Sequence, residues 1–221
     1  MMANGNYQEV LIGLFITLTL ATSFLIILAR SLNSAIKVIA GQAVLLAAVT
    51  LTLAVISDVG EIYIAALLTV IVKAGVIPFI LAKVVSKIGI CREVKSYVNI
   101  KMSFVICAGL VVIAYFATGK IITADSGIAS AALPAAISMI LIGLFVMITR
   151  KLAVMQIIGL IIMENGLFLV GVGTTNGMPL VVELGIFLDI LVGVLITGIL
   201  AFRINRTFDT IDTENLKNLR G

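Results

Sequence analysis

Long apolar runs dominate this chain, and each is followed by a short polar or charged loop. The runs are continuous instead of alternating, which indicates helices, and each is long enough to cross about 30 Å of hydrocarbon at about 1.5 Å per residue. The pattern therefore predicts an all-α, polytopic membrane protein with seven transmembrane helices. The predicted spans are Val10–Ala29, Val38–Ser57, Ile62–Val85, Met102–Thr118, Ile128–Ile148, Leu152–Gly173 and Pro179–Phe202.

The composition also indicates a membrane protein. Hydrophobic residues make up 62% of the 221 residues and charged residues 12%, whereas soluble proteins have roughly 45–50% and about 25%. A globule of this size could not hide so much apolar surface, which excludes a soluble fold. The chain has no His and only two cysteines, Cys91 and Cys107. Since zinc, haem and iron–sulfur sites need clusters of such ligands, we expect no metal or cofactor of that kind in this chain.

Charge is distributed unevenly between the loops on the two sides. Thirteen of the 15 basic residues lie on one side, whereas Glu9, Asp58, Glu61 and Asp125 lie on the other. The positive-inside rule therefore predicts an N-terminus outside and a C-terminus in the cytoplasm. The same distribution explains the net charge of +4 by topology and argues against a nucleic-acid partner. The thirteen basic residues are Arg30, Lys37, Lys83, Lys87, Arg92, Lys95, Lys101, Arg150, Lys151, Arg203, Arg206, Lys217 and Arg220.

Apart from Lys83 at the cytoplasmic end of the third span, four acidic or basic residues lie within the predicted spans: Lys73, Glu164, Glu183 and Asp189. Counted along their helices, Lys73, Glu164 and Asp189 lie about 15 to 18 Å deep, near the bilayer centre, and Glu183 lies about 6 Å from the outer face. A charge at the centre of a lone helix costs roughly 2.5–3.5 kcal/mol. We therefore expect these side chains to turn inward and to contact each other, trapped water or a neighbouring subunit.

These four residues favour a path for protons or sodium ions through the membrane. Lys73 facing Glu164 or Asp189 would form a pair whose protonation depends on how close its partner is, and such groups exchange protons during function. Glu183 is close enough to the outer face to reach water. The alternative interpretation is a static ion pair that only locks helices together.

Two further features lie near the predicted ion path. Pro78 cannot donate a hydrogen bond to the carbonyl of Ala74, so the helix just past Lys73 should kink and free a carbonyl for water or a side chain. Gln42 and Gln156 lie toward the cytoplasmic ends of their spans. They could hold water on the way inward or simply hydrogen-bond neighbouring helices.

A strip of small residues accompanies Asp189. Gly185, Gly193 and Thr197 lie, together with Asp189, at intervals of four residues along one face of the last predicted helix. Such a strip lets another helix approach closely and bring its polar groups onto the carboxylate, although it is equally compatible with a packing seam alone.

Two segments carry a resemblance to known membrane subunits. Gly159–Leu169 (GLIIMENGLFL) followed by Leu188–Gly193 (LDILVG) resembles the last two helices of the small K-type subunit of respiratory complex I, a likeness that covers about residues 128–203. Over essentially the whole chain, the sequence resembles component E of hydrogenase-4, a family found in membrane-bound group 4 nickel–iron hydrogenase and formate hydrogenlyase-type complexes. Val72–Phe79 (VKAGVIPF) is also similar to the lysine–proline helix of antiporter-like subunits.

The resemblance implies roles for particular residues. In the K-type subunit, two glutamates on successive helices carry protons. Asp189 falls where the second glutamate lies, and Gly193 matches the glycine that follows it. The first glutamate corresponds to Ile161, whereas Glu164 lies three residues later, about 4.5 Å along the helix axis and about 60° around it. Glu164 could therefore serve the same route from a shifted position.

The resemblance further implies a membrane subunit of an oxidoreductase complex that relays protons or sodium ions. Its expected partners are antiporter-like and other complex I-like membrane subunits and a cytoplasmic hydrogenase module, which would hold the nickel–iron centre and the iron–sulfur clusters. The expected location is the prokaryotic cytoplasmic (inner) membrane. The alternative function is a structural membrane scaffold, or a subunit of a multisubunit cation/proton antiporter.

The same comparison predicts a division of the chain into three parts. Residues 1–127 would contain four membrane helices, including the lysine-bearing third helix. Residues 128–203 would form the K-type-like unit of three helices, and residues 204–221 a cytoplasmic tail.

Overall fold

The computed structural model describes residues 2–57, 59–88, 96–119, 129–175 and 193, and these residues are helical apart from short connections. A π-helical segment of eight residues, Thr69–Val76, continues α3 directly into α4. Within the described ranges there is no β-strand, and the only bridge is an isolated antiparallel one between Ser96 and Arg150. The helices are α1 (Met2–Leu28), α2 (Leu32–Ser57), α3 (Gly60–Leu68), α4 (Ile77–Ile88), α5 (Ile100–Thr118), α6 (Ala129–Thr149) and α7 (Ala153–Thr175).

Six helical stretches of this part of the chain are long and apolar enough to cross a membrane. They correspond to the first six predicted spans, and the third of them contains α3, the π-helical segment and α4. The prediction of an all-helical, multi-pass membrane protein is confirmed at this level. The seventh predicted span lies outside the described residues, except for Gly193, which is helical and partly buried. The six stretches are Tyr7–Leu28, Leu32–Ser57, Ile62–Ser86, Ile100–Thr118, Ser130–Thr149 and Ala153–Gly173.

The second helix extends beyond the apolar run that predicted it. It begins at Leu32, whereas the run begins at Val38. The hydroxyl oxygen of Ser31 accepts a hydrogen bond from the backbone N–H of Ser34 at 3.2 Å, which caps the start of the helix. Lys37 lies within the first turns with its side chain exposed. The charged side chain of Lys37 therefore lies just before the apolar run, although the helix has already begun.

Helices α6 and α7 approach each other closely because glycines face backbone at their contact. A Cβ added to Gly143 would lie 2.6 Å from the carbonyl oxygen of Gly159, and one added to Gly159 would lie 2.8 Å from that of Gly143. Further along the same contact, a Cβ on Gly166 would lie 2.8 Å from the carbonyl oxygen of Ala136. Small residues at such positions let two membrane helices pack through their backbones. This contact determines which face of α7 is left for the other helices.

Helix α2 occupies the centre of the described bundle. It contacts α1, α3, the π-helical segment, α4 and α7. Its buried face consists mainly of Ala, Leu, Ile and Val, with Gln42 and Thr50 as polar exceptions. The candidate site lies where the π-helical segment, α7 and this central helix come together.

Candidate functional site

The lysine predicted from the sequence lies in the π-helical segment. Lys73 is the fifth of the eight residues of Thr69–Val76, and its side chain is buried. At the end of the segment, the backbone N–H of Ile77 donates to the carbonyl of Val72, five residues earlier. Pro78 follows directly and cannot donate a backbone hydrogen bond. The irregularity expected next to Pro78 therefore takes the form of a π-helix, which is rare and frequently accompanies functional sites.

Lys73 forms an ion pair with Glu164 of α7. The Nζ atom lies 2.6 Å from Oε1 of Glu164, and both side chains are only 3% exposed. The ammonium also lies 5.1 Å from the ring centroid of Phe168, one turn further along α7, in the arrangement of a cation–π contact. Of the two partners that the sequence offers to Lys73, the structure places Glu164 against it, whereas Asp189 lies outside the described residues.

The carboxylate of Glu164 depends on this contact. Both of its oxygens are shielded from solvent, and within the described ranges neither has a hydrogen-bond partner beyond the Lys73 ammonium. The Lys73 ammonium is therefore the group that compensates the negative charge from this part of the chain. Removal of the ammonium would leave the buried carboxylate without a compensating charge from the described residues, so the stability of Glu164 at this site is strongly coupled to Lys73.

A row of hydrogen-bonded polar side chains continues from Lys73 across the bundle. Lys73 Nζ donates to Oδ1 of Asn165 at 3.4 Å, and Nδ2 of Asn165 donates to Oε1 of Gln42 at 3.1 Å. Nε2 of Gln42 then donates to Oγ of Ser23 at 2.9 Å and to the backbone carbonyl of Thr19 at 3.2 Å. Gln42 thus connects α7 to α1 through hydrogen bonds between helices, which is one of the two roles that the sequence left open for it.

The other predicted residues lie apart from the ion pair or outside the described part. Gln156 is exposed, and its Nε2 donates to the backbone carbonyl of Arg150 at 3.1 Å. Gly193 is helical, and a Cβ added to it would have no atom within 4 Å. Glu183, Asp189 and Gly185 fall among the residues whose structure is not described.

Several residues of the site were not predicted. Asn165, Ser23 and Thr19 are fully buried and Phe168 nearly so, yet hydroxyl and aromatic residues are common in membrane helices and their spacing carries no signal. Asn165 had a usable signal: an amide next to a mid-membrane glutamate is costly to bury unless it is hydrogen-bonded. Its partner could not be read from the sequence, because Gln42 lies 123 residues away.

Arg150 is a second buried basic residue, at the loop between α6 and α7. Its Nη2 donates to the backbone carbonyl of Ile27 at 2.7 Å, in the last turn of α1, where carbonyls lack partners within the helix. Burial lowers the pKa of the Arg150 guanidinium from its ordinary value. A cation at a helix C-terminus also interacts favourably with the helix dipole. Arg150 therefore connects α1 to α6 and is separate from the Lys73–Glu164 pair.

Metal binding has no support from the described residues. They contain no group of three or more His, Cys, Asp or Glu side chains that could hold an ion. The charged and polar side chains of the site are arranged as donors and acceptors for each other. The chemistry available to this arrangement is the movement of a proton or the exchange of an ion-pair partner.

The fold and the site define a class: a multi-pass α-helical membrane protein with a lysine–carboxylate pair buried between its helices. The chain is 33% identical to the protein Rv0085 of Mycobacterium tuberculosis over 220 residues, which cover 99% of this chain and 100% of the relative. It is 26% identical to hydrogenase-4 component E of Escherichia coli K12 over 204 residues, 92% of this chain and 94% of the relative, and equally to the protein of that name from Shigella flexneri.

A family model described as NADH-ubiquinone/plastoquinone oxidoreductase chain 4L matches residues 131–221. The chain therefore belongs to the family of the mycobacterial protein, is a distant homologue of hydrogenase-4 component E, and carries a C-terminal part of the chain 4L type. Together, the similarity to hydrogenase-4 component E and to chain 4L assigns the chain to the complex I-like membrane subunits. No solved structure matches the chain at a significant level.

Proposed function

We propose that this chain is a membrane subunit of a group 4 nickel–iron hydrogenase complex and relays protons or sodium ions across the membrane. Redox chemistry in partner subunits would drive the relay. The observation that carries the proposal is the Lys73–Glu164 pair, in which Nζ lies 2.6 Å from Oε1 at a 3% exposed site between two membrane helices. The similarity to hydrogenase-4 component E and to chain 4L supplies the class of complex.

The pair is suited to a relay because each of its charges stabilises the other. If the proton of the ammonium passes to the carboxylate, the products are a neutral amine and a carboxylic acid, and no charge is left unpaired. If an incoming proton neutralises Glu164 instead, the lysine is released to another carboxylate. The π-helical segment, with its altered hydrogen bonding next to Lys73, provides a backbone that can adjust during such steps.

The remaining parts of the proposal rest on the sequence. Glu183 and Asp189 continue the path on a seventh helix, Pro179–Phe202, beside Gly185 and Gly193. The N-terminus lies outside and the C-terminal tail, 204–221, in the cytoplasm. Residues 1–127 and 128–203 form the two membrane parts, and the complex lies in the cytoplasmic membrane.

The proposed partners follow from the class of complex. They are antiporter-like and other complex I-like membrane subunits and a cytoplasmic hydrogenase module. That module would contain the nickel–iron centre and the iron–sulfur clusters, with none in this chain.

Coupled ion movement in inverted membrane vesicles tests the proposal. With hydrogen as reductant and an added electron acceptor, we expect Glu164→Gln and Asp189→Asn to abolish acidification of the vesicle interior, while hydrogenase activity of the detergent-solubilised complex persists. Glu9→Gln is the matched control, because Glu9 is exposed and makes the same chemical change away from the pair. Full pumping by both variants would overturn the proposal. Exchange of sodium for potassium in the buffer distinguishes a proton path from a sodium path.

A structural scaffold is the second candidate, and one observation favours it: the pair joins the third spanning helix to α7 and would hold them together without moving a proton. A scaffold predicts that Lys73→Met reduces co-purification of the complex in mild detergent but leaves the pumped ions per turnover unchanged in the complex that remains. An ion relay predicts loss of pumping in that same assembled fraction. Co-purification with antiporter subunits alone would instead indicate a cation/proton antiporter.

A further inference from the structure

The polar row beside the ion pair has a defined direction. Lysine ammonium groups only donate hydrogen bonds, and a backbone carbonyl only accepts them. Between these two ends lie the side-chain amides of Asn165 and Gln42, which contact each other at 3.1 Å. The ammonium forces the amide of Asn165 to present its oxygen, at 3.4 Å. The carbonyl of Thr19, at 3.2 Å, forces Gln42 to present its NH₂ group to α1.

The two amides can satisfy both ends in only one orientation. With Oδ1 of Asn165 on Lys73, its Nδ2 must donate toward α2, and Gln42 must meet it with Oε1. Turning either amide would place two donors or two acceptors against each other in a fully buried site. Thr19, Ser23, Gln42 and Asn165 are all 0% exposed, so water cannot relieve such a mismatch cheaply.

We infer that Gln42 is a positioning residue for the ion pair: acting through Asn165, it holds Oδ1 of that residue as a second, neutral acceptor for Nζ of Lys73. The inference rests on the proposed function and specifies how the pair is held. Side-chain amides do not titrate near neutral pH, so Gln42 and Asn165 position the lysine without carrying protons themselves. The amide oxygen is available to Lys73 whether Glu164 is charged or protonated.

This second acceptor matters most when Glu164 is neutral. After transfer of a proton from the ammonium to the carboxylate, the amine of Lys73 retains N–H groups and still donates to Oδ1 of Asn165. This hydrogen bond keeps Nζ of Lys73 near α7, so the ion pair with Glu164 can form again when the proton returns to the amine. Without Gln42, Nδ2 of Asn165 loses its acceptor, and when Lys73 is a neutral amine the Asn165 amide can turn and donate to the lone pair of Nζ instead.

Substitutions of Gln42 separate positioning from packing. Gln42→Met has nearly the same length but presents no comparable acceptor, and we expect about a tenfold loss of hydrogen-driven ion flux per assembled complex, because a hydrogen bond to a charged group is worth roughly that factor. Gln42→Glu keeps an acceptor for Asn165 and, when protonated, a donor for Thr19, and we expect it to restore flux to within about twofold. Gln8→Met is the matched control, since Gln8, near the start of α1, undergoes the same chemical change outside the polar row.

The measurements are ion flux in inverted vesicles, hydrogenase activity in detergent and the amount of co-purified complex. A purely structural role would lower the amount of complex and leave flux per complex unchanged, which would overturn the inference, as would a Gln42→Glu variant as defective as Gln42→Met. If Gln42→Met fails to assemble, Gln42→Asn, which retains the amide but withdraws it by one methylene, must lose flux as well. Normal flux with Gln42→Met beside abolished flux with Glu164→Gln refutes only this inference, whereas full flux with Glu164→Gln refutes the proposed function.

Discussion

The ammonium of Lys73 lies 2.6 Å from the carboxylate of Glu164. The two residues belong to different membrane helices, and each side chain is only 3% exposed. Each charge compensates the other in a buried site. This dependence has a consequence for stability that can be measured independently of ion transport. Removal of one charge should be more damaging than removal of both.

Lys73→Met should destabilise the protein by about 3–5 kcal/mol, because it leaves Glu164 buried without its partner. Combining it with Glu164→Leu should recover most of this loss, since an apolar pair suits the site better than a single charge. Thermal unfolding of the detergent-purified protein measures both effects. Lys101→Met, at an exposed lysine, is the control. Equal losses in the single and the double variant would contradict the coupling.

Gly159→Ala should weaken the contact between α6 and α7. The new Cβ would lie 2.8 Å from the carbonyl oxygen of Gly143 and 2.9 Å from the backbone nitrogen of Met147, so the helices must move apart. Overpacking of this kind costs about 1–3 kcal/mol. Gly41→Ala is the matched control, because a Cβ there meets nothing within 4 Å. An unfolding temperature of Gly159→Ala equal to or above that of Gly41→Ala would refute the close approach of α6 and α7.

Arg150→Met should cost about 1–2 kcal/mol, because the carbonyl of Ile27 at the end of α1 loses a charged donor at 2.7 Å. Burial lowers the pKa of the guanidinium, so burying the charge opposes folding until the pH rises through the lowered pKa. Because an arginine side chain stays protonated in proteins, the effect of the substitution should be constant between about pH 6 and 9. Unfolding temperatures across this range check the prediction, with Arg30→Met, at an exposed arginine, as control. A strong pH dependence would indicate a different partner for Arg150.

Cysteine labelling tests the proposed orientation. In a background without Cys91 and Cys107, Gly60→Cys should react with a membrane-impermeant maleimide in intact cells. Ser31→Cys should react only after the cells are permeabilised, since the positive-inside rule places it in the cytoplasm. Both positions are exposed, so unequal reactivity reflects the side of the membrane. The reversed pattern would show that the N-terminus is cytoplasmic.

Much of the helix arrangement along the chain could be predicted because hydropathy is a local property. A continuous apolar run must be helical in lipid, so the first six spans follow from the order of residues alone. The predicted helix ends were less accurate. The apolar run begins only after Lys37, whereas α2 begins at Leu32 because Ser31 caps it.

The sequence predicted that the charged residues share one layer of the membrane, and it left two possible partners for Lys73. Counting along the helices placed Lys73 and Glu164 in one layer of the membrane. Whether Lys73 turns toward Glu164 depends on the rotation of two helices, and each residue changes the direction of a side chain by about 100°. The π-helical segment alters that rotation within the very turn that carries Lys73. The polar partners Asn165 and Gln42 were hidden for the same reason.

Composition, the lengths of the apolar helices and the positions of Lys73 and Glu164 along them therefore came from the amino-acid sequence, since each depends only on neighbours along the chain. The contact of Lys73 with Glu164, the direction of the amides of Asn165 and Gln42, and the close approach of Gly143 to Gly159 were decided by the tertiary structure. Those relationships join residues far apart in the chain, and they exist only once the packing of whole helices has set which faces meet.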